Sequence, residues 1–329
     1  MEWLKNIFGQ KNKRIYLDYA AATPVLPEVR KEMEKYFSKD FYNPNAIYEE
    51  GEKVRKEVEE YRAKIAKLIG SASKDIIFTG GGTEANVMAI RGVKPGRIVF
   101  DGEVHPSVQE AAKNMAGQEV VLVSSVTTDN KLGRAIREKK RKTGKEYPLL
   151  HIDASQTAAY YNVGLEALAC DLLTLDSAKL YGPKGCGALV VRRSAQISLP
   201  PPGTPAVPLI AGFAKALEIA VRDREAEYKR LDSLSAWFAG EILRSLPRAE
   251  AVLISPNIIN VSIPGVLPEL PVLALDRKGI LVSAGPACNS QKPEPSETPV
   301  RLSLGRFTSE NEVKKAAKIF CETVRNLLK

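Results

Sequence analysis

The chain has 329 residues, 44% hydrophobic and 26% charged, with a formal net charge of +9. That length and apolar content suit a large domain plus a smaller one, and exclude a disordered or fibrous chain. Apolar runs such as Val120 to Val123 and Ala188 to Val191 end at charges or turn residues, far short of the roughly 20 residues that span a bilayer.

Residues 1–14 form an N-terminal tail without the ordered charged, apolar and small-residue zones of a signal peptide, so a cytoplasmic location is expected. Ile15 to Leu17 reads as a short strand. Pro27 to Phe37 and Tyr48 to Ile69 carry apolar positions at helical spacing, and Gly70 sits where a helix C-cap belongs. Asp75 to Thr79, Gly80 to Gly82 and Thr83 to Arg91 then give strand, glycine turn and helix.

Short apolar runs at Arg97–Phe100, Val120–Val123, Leu149–Asp153, Leu172–Leu175 and Gly187–Val191 alternate with helical or loop segments, the pattern of a mainly parallel sheet wrapped by helices. The proline-rich stretch 200–208 and a long helix, Pro208 to Leu246, place a domain change near residue 207. Beyond it, strands at Asn257–Ile263, Leu281–Ser283 and Val300–Leu304, with helices at Leu270–Arg277 and the C-terminus, give a smaller α/β unit, 208–329. The expected domains are therefore 15–207 and 208–329.

The basic residues are interleaved with acids, as in Glu49 to Lys67, so no direct nucleic-acid contact is expected; only Arg134 to Lys145 is densely basic. That run reads as a solvated helix face, with docking to an acidic protein as the alternative. Cys170, Cys186, Cys288 and Cys321 lie far apart with no C-x-x-C pair, which favours neither a disulfide framework nor a metal site. Cys170 and Cys321 fall in helical patterns and Cys186 between strand glycines, so these three read as buried filler. Cys288 is different. It lies between Ser-Ala-Gly-Pro-Ala and Asn-Ser-Gln-Lys-Pro-Glu-Pro, a loop-forming context in which a mobile thiol is expected.

Asp171 to Arg193 is the most informative segment: a strand, Asp-Ser-Ala-Lys, Tyr-Gly-Pro-Lys-Gly, and a glycine-spaced strand. Taken alone, Lys179 reads as an ordinary surface lysine, although a lysine buried between strands acquires the lowered pKa that Schiff-base chemistry needs. In context it resembles the cofactor-lysine segment of cysteine desulfurases, within the class V aminotransferase superfamily. The likeness extends in the same order through Tyr16-Leu-Asp-Tyr-Ala-Ala-Ala-Thr-Pro24, Asn43-Pro44, Gly80-Gly-Gly-Thr-Glu-Ala85, His105, Asp129-Asn130, His151-Ile-Asp-Ala-Ser-Gln156, Gly203-Thr-Pro205, Gly285-Pro-Ala-Cys288 and Arg301-Leu-Ser-Leu-Gly-Arg-Phe307.

This resemblance implies a fold type I pyridoxal-phosphate enzyme, with a mainly parallel sheet of the seven-stranded type, a smaller C-terminal α/β domain bearing the Cys288 loop, and residues 15–50 contributing to the active site and the small domain. It implies that Lys179 carries pyridoxal 5'-phosphate and that Gly81, Gly82, Thr83 and Ser177 hold the phosphate. Asp153 would pair with the ring nitrogen, Gln156 and Asn130 with the phenolic oxygen, and His105 would stack on the ring and shuttle protons. Thr204 would reach the phosphate of a second subunit. Arg301 and Asn43 would bind the substrate cysteine, and Cys288 would become a persulfide. The implied partners are a second copy of the chain and a sulfur acceptor, either an iron-sulfur scaffold or a tRNA-thiolation enzyme. The other histidine, His151, begins a buried strand and reads as a packed residue.

The chain also departs from the pattern. A usual Ser-x-His-Lys is here Asp176-Ser177-Ala178-Lys179, which removes two phosphate-binding groups and adds an acid; Tyr48 replaces a histidine. The stretches from His105 to Asn130, from Arg193 to Gly203 and from Cys288 to Arg301 are short. Two alternatives stay open: a related lyase acting on selenocysteine, and a degenerate dimeric scaffold or regulator that binds the cofactor poorly.

Overall fold

The computed structural model describes residues 14–201, 203–285 and 299–328. The described elements begin with β1 (Ile15–Tyr16), α1 (Pro27–Glu34), α2 (Glu49–Leu68), β2 (Ile76–Thr79), α3 (Gly82–Gly92), β3 (Arg97–Asp101), α4 (Pro106–Ala112), β4 (Val120–Ser125), α5 (Lys131–Thr143), β5 (Leu149–Asp153), β6 (Leu172–Asp176) and β7 (Gly187–Val191). They continue with α6 (Val207–Ser245), β8 (Glu250–Ser255), β9 (Ile258–Ser262), α7 (Glu269–Arg277), β10 (Ile280–Leu281), β11 (Ser283–Ala284), β12 (Val300–Ser303) and α8 (Glu310–Leu327). The described residues form two compact units, one within 23–224 and one made of 14–22 with those from 225 onward.

The large unit is built on a sheet of order β2-β7-β6-β5-β4-β3. β3 to β6 run parallel, and β7 is antiparallel to both β6 and β2. All five residues of β5 are buried, the requirement for a central parallel strand covered on both faces. α3 packs against β6 and β7, burying Ala85, Ala89 and Ile90 in a cluster with Leu172 and Leu189.

Six strands are present among the described residues where the resemblance implied seven. The segment 113–119 between α4 and β4 is too short to run out into another strand and return, since a parallel neighbour needs a crossover of a dozen or more residues. β3 is therefore an edge, with Val99 and Phe100 exposed.

The division between units falls inside α6, at Arg224, rather than at the proline-rich segment before it. The first half of this 39-residue helix is tied into the large unit: Phe213, Ala214 and Leu217 are fully buried, Lys64 pairs with Glu218 at 2.7 Å, and Arg224 Nη2 donates to the Ala158 carbonyl at 3.2 Å.

The basic run lies on α5 and the turn after it. Arg137, Lys140 and Lys142 are already paired, with Glu166, Asp171 and Glu138. Three of the run's seven basic side chains are thus paired within the chain.

The small unit holds an antiparallel sheet of order β11-β12-β9-β8 and a parallel pair, β1 with β10. α8 starts in a reciprocal cap, in which Glu312 N–H donates to Ser309 Oγ and Ser309 N–H donates to the Glu312 carboxylate. Its apolar stripe, Val313, Ala317, Phe320 and Val324, is buried at helical spacing.

Candidate functional site

Lys179 lies at the end of a single 3-10 turn, Ser177–Lys179, directly after β6. Three contacts hold that turn. Asp176 Oδ1 accepts from Ala178 N–H at 2.9 Å, Ser177 N–H donates to the Cys186 carbonyl at 3.1 Å, and Thr23 Oγ1 donates to the Ala178 carbonyl at 2.8 Å. Thr23 Oγ1 also accepts from Tyr181 N–H at 3.1 Å, which fixes Tyr181 in the left-handed region at φ 61°. The lysine itself is half-buried.

Asp153 ends β5, at the carboxyl edge where open α/β sheets bind ligands. It is 8% exposed, and both of its oxygens are engaged. Oδ2 accepts from Asn86 Nδ2 at 2.8 Å; Oδ1 accepts from Ser155 N–H at 3.0 Å and Ser155 Oγ at 2.6 Å. Asn86 Nδ2 also donates to Ser107 Oγ at 3.1 Å, and Ser107 Oγ lies 2.7 Å from His105 Nδ1. His105 is the N-cap of α4, its Nδ1 accepting from Ser107 N–H at 3.0 Å. Burial lowers the His105 pKa, as does Lys179, against the opposite pull of Asp153 and Asp176. Four side chains therefore link β5, α3 and α4 into one polar chain beside Lys179.

The α3 N-terminus supplies an opening for an anion. Gly81 has φ 140° and no side chain caps the helix, so its first N–H groups point outward without a capping oxygen. Gly82 is needed there: a Cβ would come 2.7 Å from Ser155 Oγ and 3.3 Å from Asp176 Oδ2. Thr83 is exposed at the rim. Asp176 thus lies beside the cradle, as its replacement of a serine implied. The Glu84 carboxylate accepts from Gly80 N–H.

Ser177 takes a place other than the expected one. It is fully buried, its Oγ has no hydrogen-bond partner, and a Cβ on Gly182 would lie 2.1 Å from it. The backbone of the turn sends this hydroxyl inward against Gly182 and Ala216, away from solvent.

The remaining candidates are more dispersed. Asn130 is the residue before α5 and makes no capping bond, and Gln156 follows Asp153 in a half-buried turn. Thr204 is exposed before α6, and Asn43 is exposed with its Oδ1 accepting from Asn45 N–H at 2.9 Å. In the small unit, Arg301 on β12 is buried, with Nη2 2.7 Å from Asp18 Oδ1 and Nη1 donating to the Gly285 carbonyl at 3.0 Å. Cys288 lies outside the described residues.

Cys170, Cys186 and Cys321 are buried and unbridged. Burial pushes Cys170 and Cys186 up to about 12 and raises Cys321, so none is a thiolate near neutral pH. Cys170 lies in the turn before β6 and not in a helix. His151 is wholly buried between Ser124 Oγ at 2.9 Å and Thr174 Oγ1 at 3.0 Å, and burial lowers it to about 4.

Asn86, Ser107 and Ser155 were not singled out by the sequence, although Pro106 marks a helix start and so places His105 at its N-cap. The large unit therefore offers an amine for an aldehyde, a buried carboxylate for a basic nitrogen, an imidazole, and open N–H groups for an anion.

Comparisons with known proteins agree with this set. The aminotransferase class-V family model matches residues 15–131, 97–202 and 202–316. Cysteine desulfurase IscS of Dictyoglomus turgidum is 32% identical over 92% of this chain and 92% of its own, and that of Rickettsia rickettsii is 30% identical over 95% and 92%. A solved NifS-like protein superposes with a TM-score of 0.84 at 24% identity, covering 95% of this chain and all of the other. With the lysine turn, the glycine-led helix and the strand-end carboxylate in place, the chain belongs to the class-V aminotransferase family and, within it, to the cysteine desulfurases.

Proposed function

We propose that this protein uses pyridoxal 5'-phosphate to convert L-cysteine to L-alanine, holding the sulfur as a persulfide on Cys288 before passing it to an acceptor. The observation that carries this reading is the set formed by Lys179, the Asp153–Asn86–Ser107–His105 chain and the open α3 N-terminus, in a chain of the cysteine desulfurase family. The cofactor would supply an electron sink for the substrate carbon.

The residues fit that group. Gly81, Gly82 and Thr83 would hold the phosphate through N–H groups and the Thr83 hydroxyl, in a cradle that any Cβ at residue 82 would fill. Asp153, whose environment supplies hydrogen-bond donors to both oxygens, would keep the ring nitrogen protonated. Lys179 would anchor the aldehyde and then move the substrate's Cα proton. Gln156 and Asn130 are assigned to the phenolic oxygen, and Arg301 and Asn43 to the substrate. The Cys288 thiolate would attack the substrate sulfur; the Cβ–S bond breaks, its electron pair returns to carbon, and carbon takes a proton to give alanine. We expect Cys288→Ala to keep cofactor attachment and lose persulfide formation. Mass spectrometry after cysteine addition checks this, and sulfide release at the unaltered rate would overturn the role.

Asp176 supports the second reading, a scaffold with weak cofactor binding. Its carboxylate stands beside Gly82, where it repels a phosphate dianion. Asp176→Ser removes that repulsion and restores a hydroxyl, so cofactor affinity should rise by about tenfold or more, equivalent to ~1.4 kcal/mol. Spectroscopic titration with pyridoxal phosphate measures it; unchanged or weaker affinity would place the carboxylate outside the phosphate's reach.

A homodimer is the proposed assembly. Phe37, Phe41, Ile47 and Tyr48 are 63%, 65%, 98% and 50% exposed in one stretch of the large unit, an apolar surface of the kind a partner covers. Thr204 is assigned to the second subunit's phosphate. The acceptor is proposed to be an iron-sulfur scaffold or a tRNA-thiolation enzyme, by analogy with the family. The three buried, unbridged cysteines suit a reducing, cytoplasmic compartment, and no helix among the described residues is long and apolar enough to cross a membrane.

A further inference from the structure

The polar chain from Asp153 to His105 has a direction, which its hydrogen-bond chemistry fixes. An ionised Asp153 only accepts, so the Asn86 amide must turn its NH2 group toward Oδ2 at 2.8 Å. The second amide proton then points to Ser107 Oγ at 3.1 Å. Asn86 is 1% exposed and its Oδ1 is left buried with no hydrogen-bond partner, so the site keeps both amide protons in use at the expense of the carbonyl. Ser107 N–H donates at 3.0 Å to His105 Nδ1, which therefore presents a lone pair, so the Ser107 hydroxyl 2.7 Å away turns its own proton to that nitrogen. Nδ1 is thus met by two donors, one of them a backbone N–H that cannot rotate away.

We propose that Asn86 and Ser107 are positioning residues that lock His105 as the neutral tautomer with its proton on Nε2, so that it acts as a hydrogen-bond donor and leaves the Cα proton to Lys179. To serve as a base at Nε2, His105 would need its proton on Nδ1, facing both Ser107 donors. The same donors oppose the imidazolium. This assignment of labour rests on the proposed desulfurase reading; the tautomer itself does not. The charged groups acting on His105 are Asp153 at the end of β5, Asp176 at the end of β6, and Lys179 on the turn after it.

The chain contains only two histidines, so 15N-histidine labelling of the full protein gives two imidazole patterns, and His105→Gln identifies the one from His105. The expected result is an unprotonated Nδ1 and a protonated Nε2 near neutral pH. Ser107→Ala removes the hydroxyl donor to the neutral form but keeps the backbone N–H, so the His105 pKa should rise by up to about one unit while the neutral form keeps its proton on Nε2. Ser107→Thr, which keeps the hydroxyl, should restore the original pKa, and the His151 signals should not move in either variant. A proton on Nδ1 in the unaltered protein, or a His105 pKa indifferent to Ser107→Ala, would overturn the proposal. Cysteine turnover by the cofactor-loaded protein is a separate readout: its absence with the Nε2–H tautomer present would overturn the functional reading alone.

Discussion

Lys179→Ala should abolish covalent attachment of the cofactor and lower cysteine turnover by at least about 10⁴-fold, the scale of loss when a covalent catalyst is removed. The expectation follows from the geometry of the turn. Asp176, Cys186 and Thr23 hold the backbone on both sides of the lysine through bonds that do not involve its side chain. Alanine is therefore accommodated without disturbing β6, and the fold should survive. None of the other site residues named above carries an amine to replace the lost group. Turnover assays with far-UV circular dichroism on the same sample separate the two effects. A variant that retains more than about one part in a hundred of the activity would contradict the role of Lys179.

Asp18→Ala should cost about 3–5 kcal/mol of stability, because it leaves a buried guanidinium without its counter-charge. Arg301 and Asp18 side chains are 4% and 16% exposed, and their ion pair spans 2.7 Å. Asp18 Oδ2 also accepts from Ser283 Oγ at 2.8 Å, so one carboxylate ties the segment after β1 to β11 and β12. Arg301 Nε already lacks a hydrogen-bond partner among the described residues, which leaves this guanidinium little margin. Asp18→Asn keeps the oxygen and loses the charge, so it should fall between the two. Denaturant unfolding of the small unit's transition measures the cost, and a loss below about 1 kcal/mol would mean that solvent reaches the arginine once the acid is gone. The pair also bears on function. Under the proposed assignment of Arg301 to the substrate carboxylate, that carboxylate would share the guanidinium with Asp18.

Local motifs were legible in the sequence, whereas burial and cross-element contacts were not. The glycine loop, Asp153 at a strand end and Lys179 after a strand are set by residues adjacent in the chain, and pattern alone places them. The Asn86–Ser107 link was invisible because the two side chains meet only after α3 and α4 pack together. An asparagine inside a helix otherwise has no signal. Ser177 reads as a phosphate ligand by its neighbours, yet the turn that presents Lys179 rotates residue 177 toward Gly182. β8 was missed for a different reason: Val252, Leu253 and Ile254 are all exposed on an edge strand, so there is no alternation of buried and exposed positions to read. The resemblance implied a seventh strand; only the sheet order shows six, with the short segment between α4 and β4 leaving β3 as an exposed edge.

The most direct test is the visible absorption of the purified protein after incubation with pyridoxal phosphate, followed by addition of cysteine. The proposed site predicts a yellow band that survives removal of free cofactor, is absent in Lys179→Ala, and shifts with cysteine as alanine is released. No band with excess cofactor, or a band indifferent to Lys179 and to cysteine, would contradict it and leave a desulfurase-like scaffold whose phosphate site Asp176 has closed.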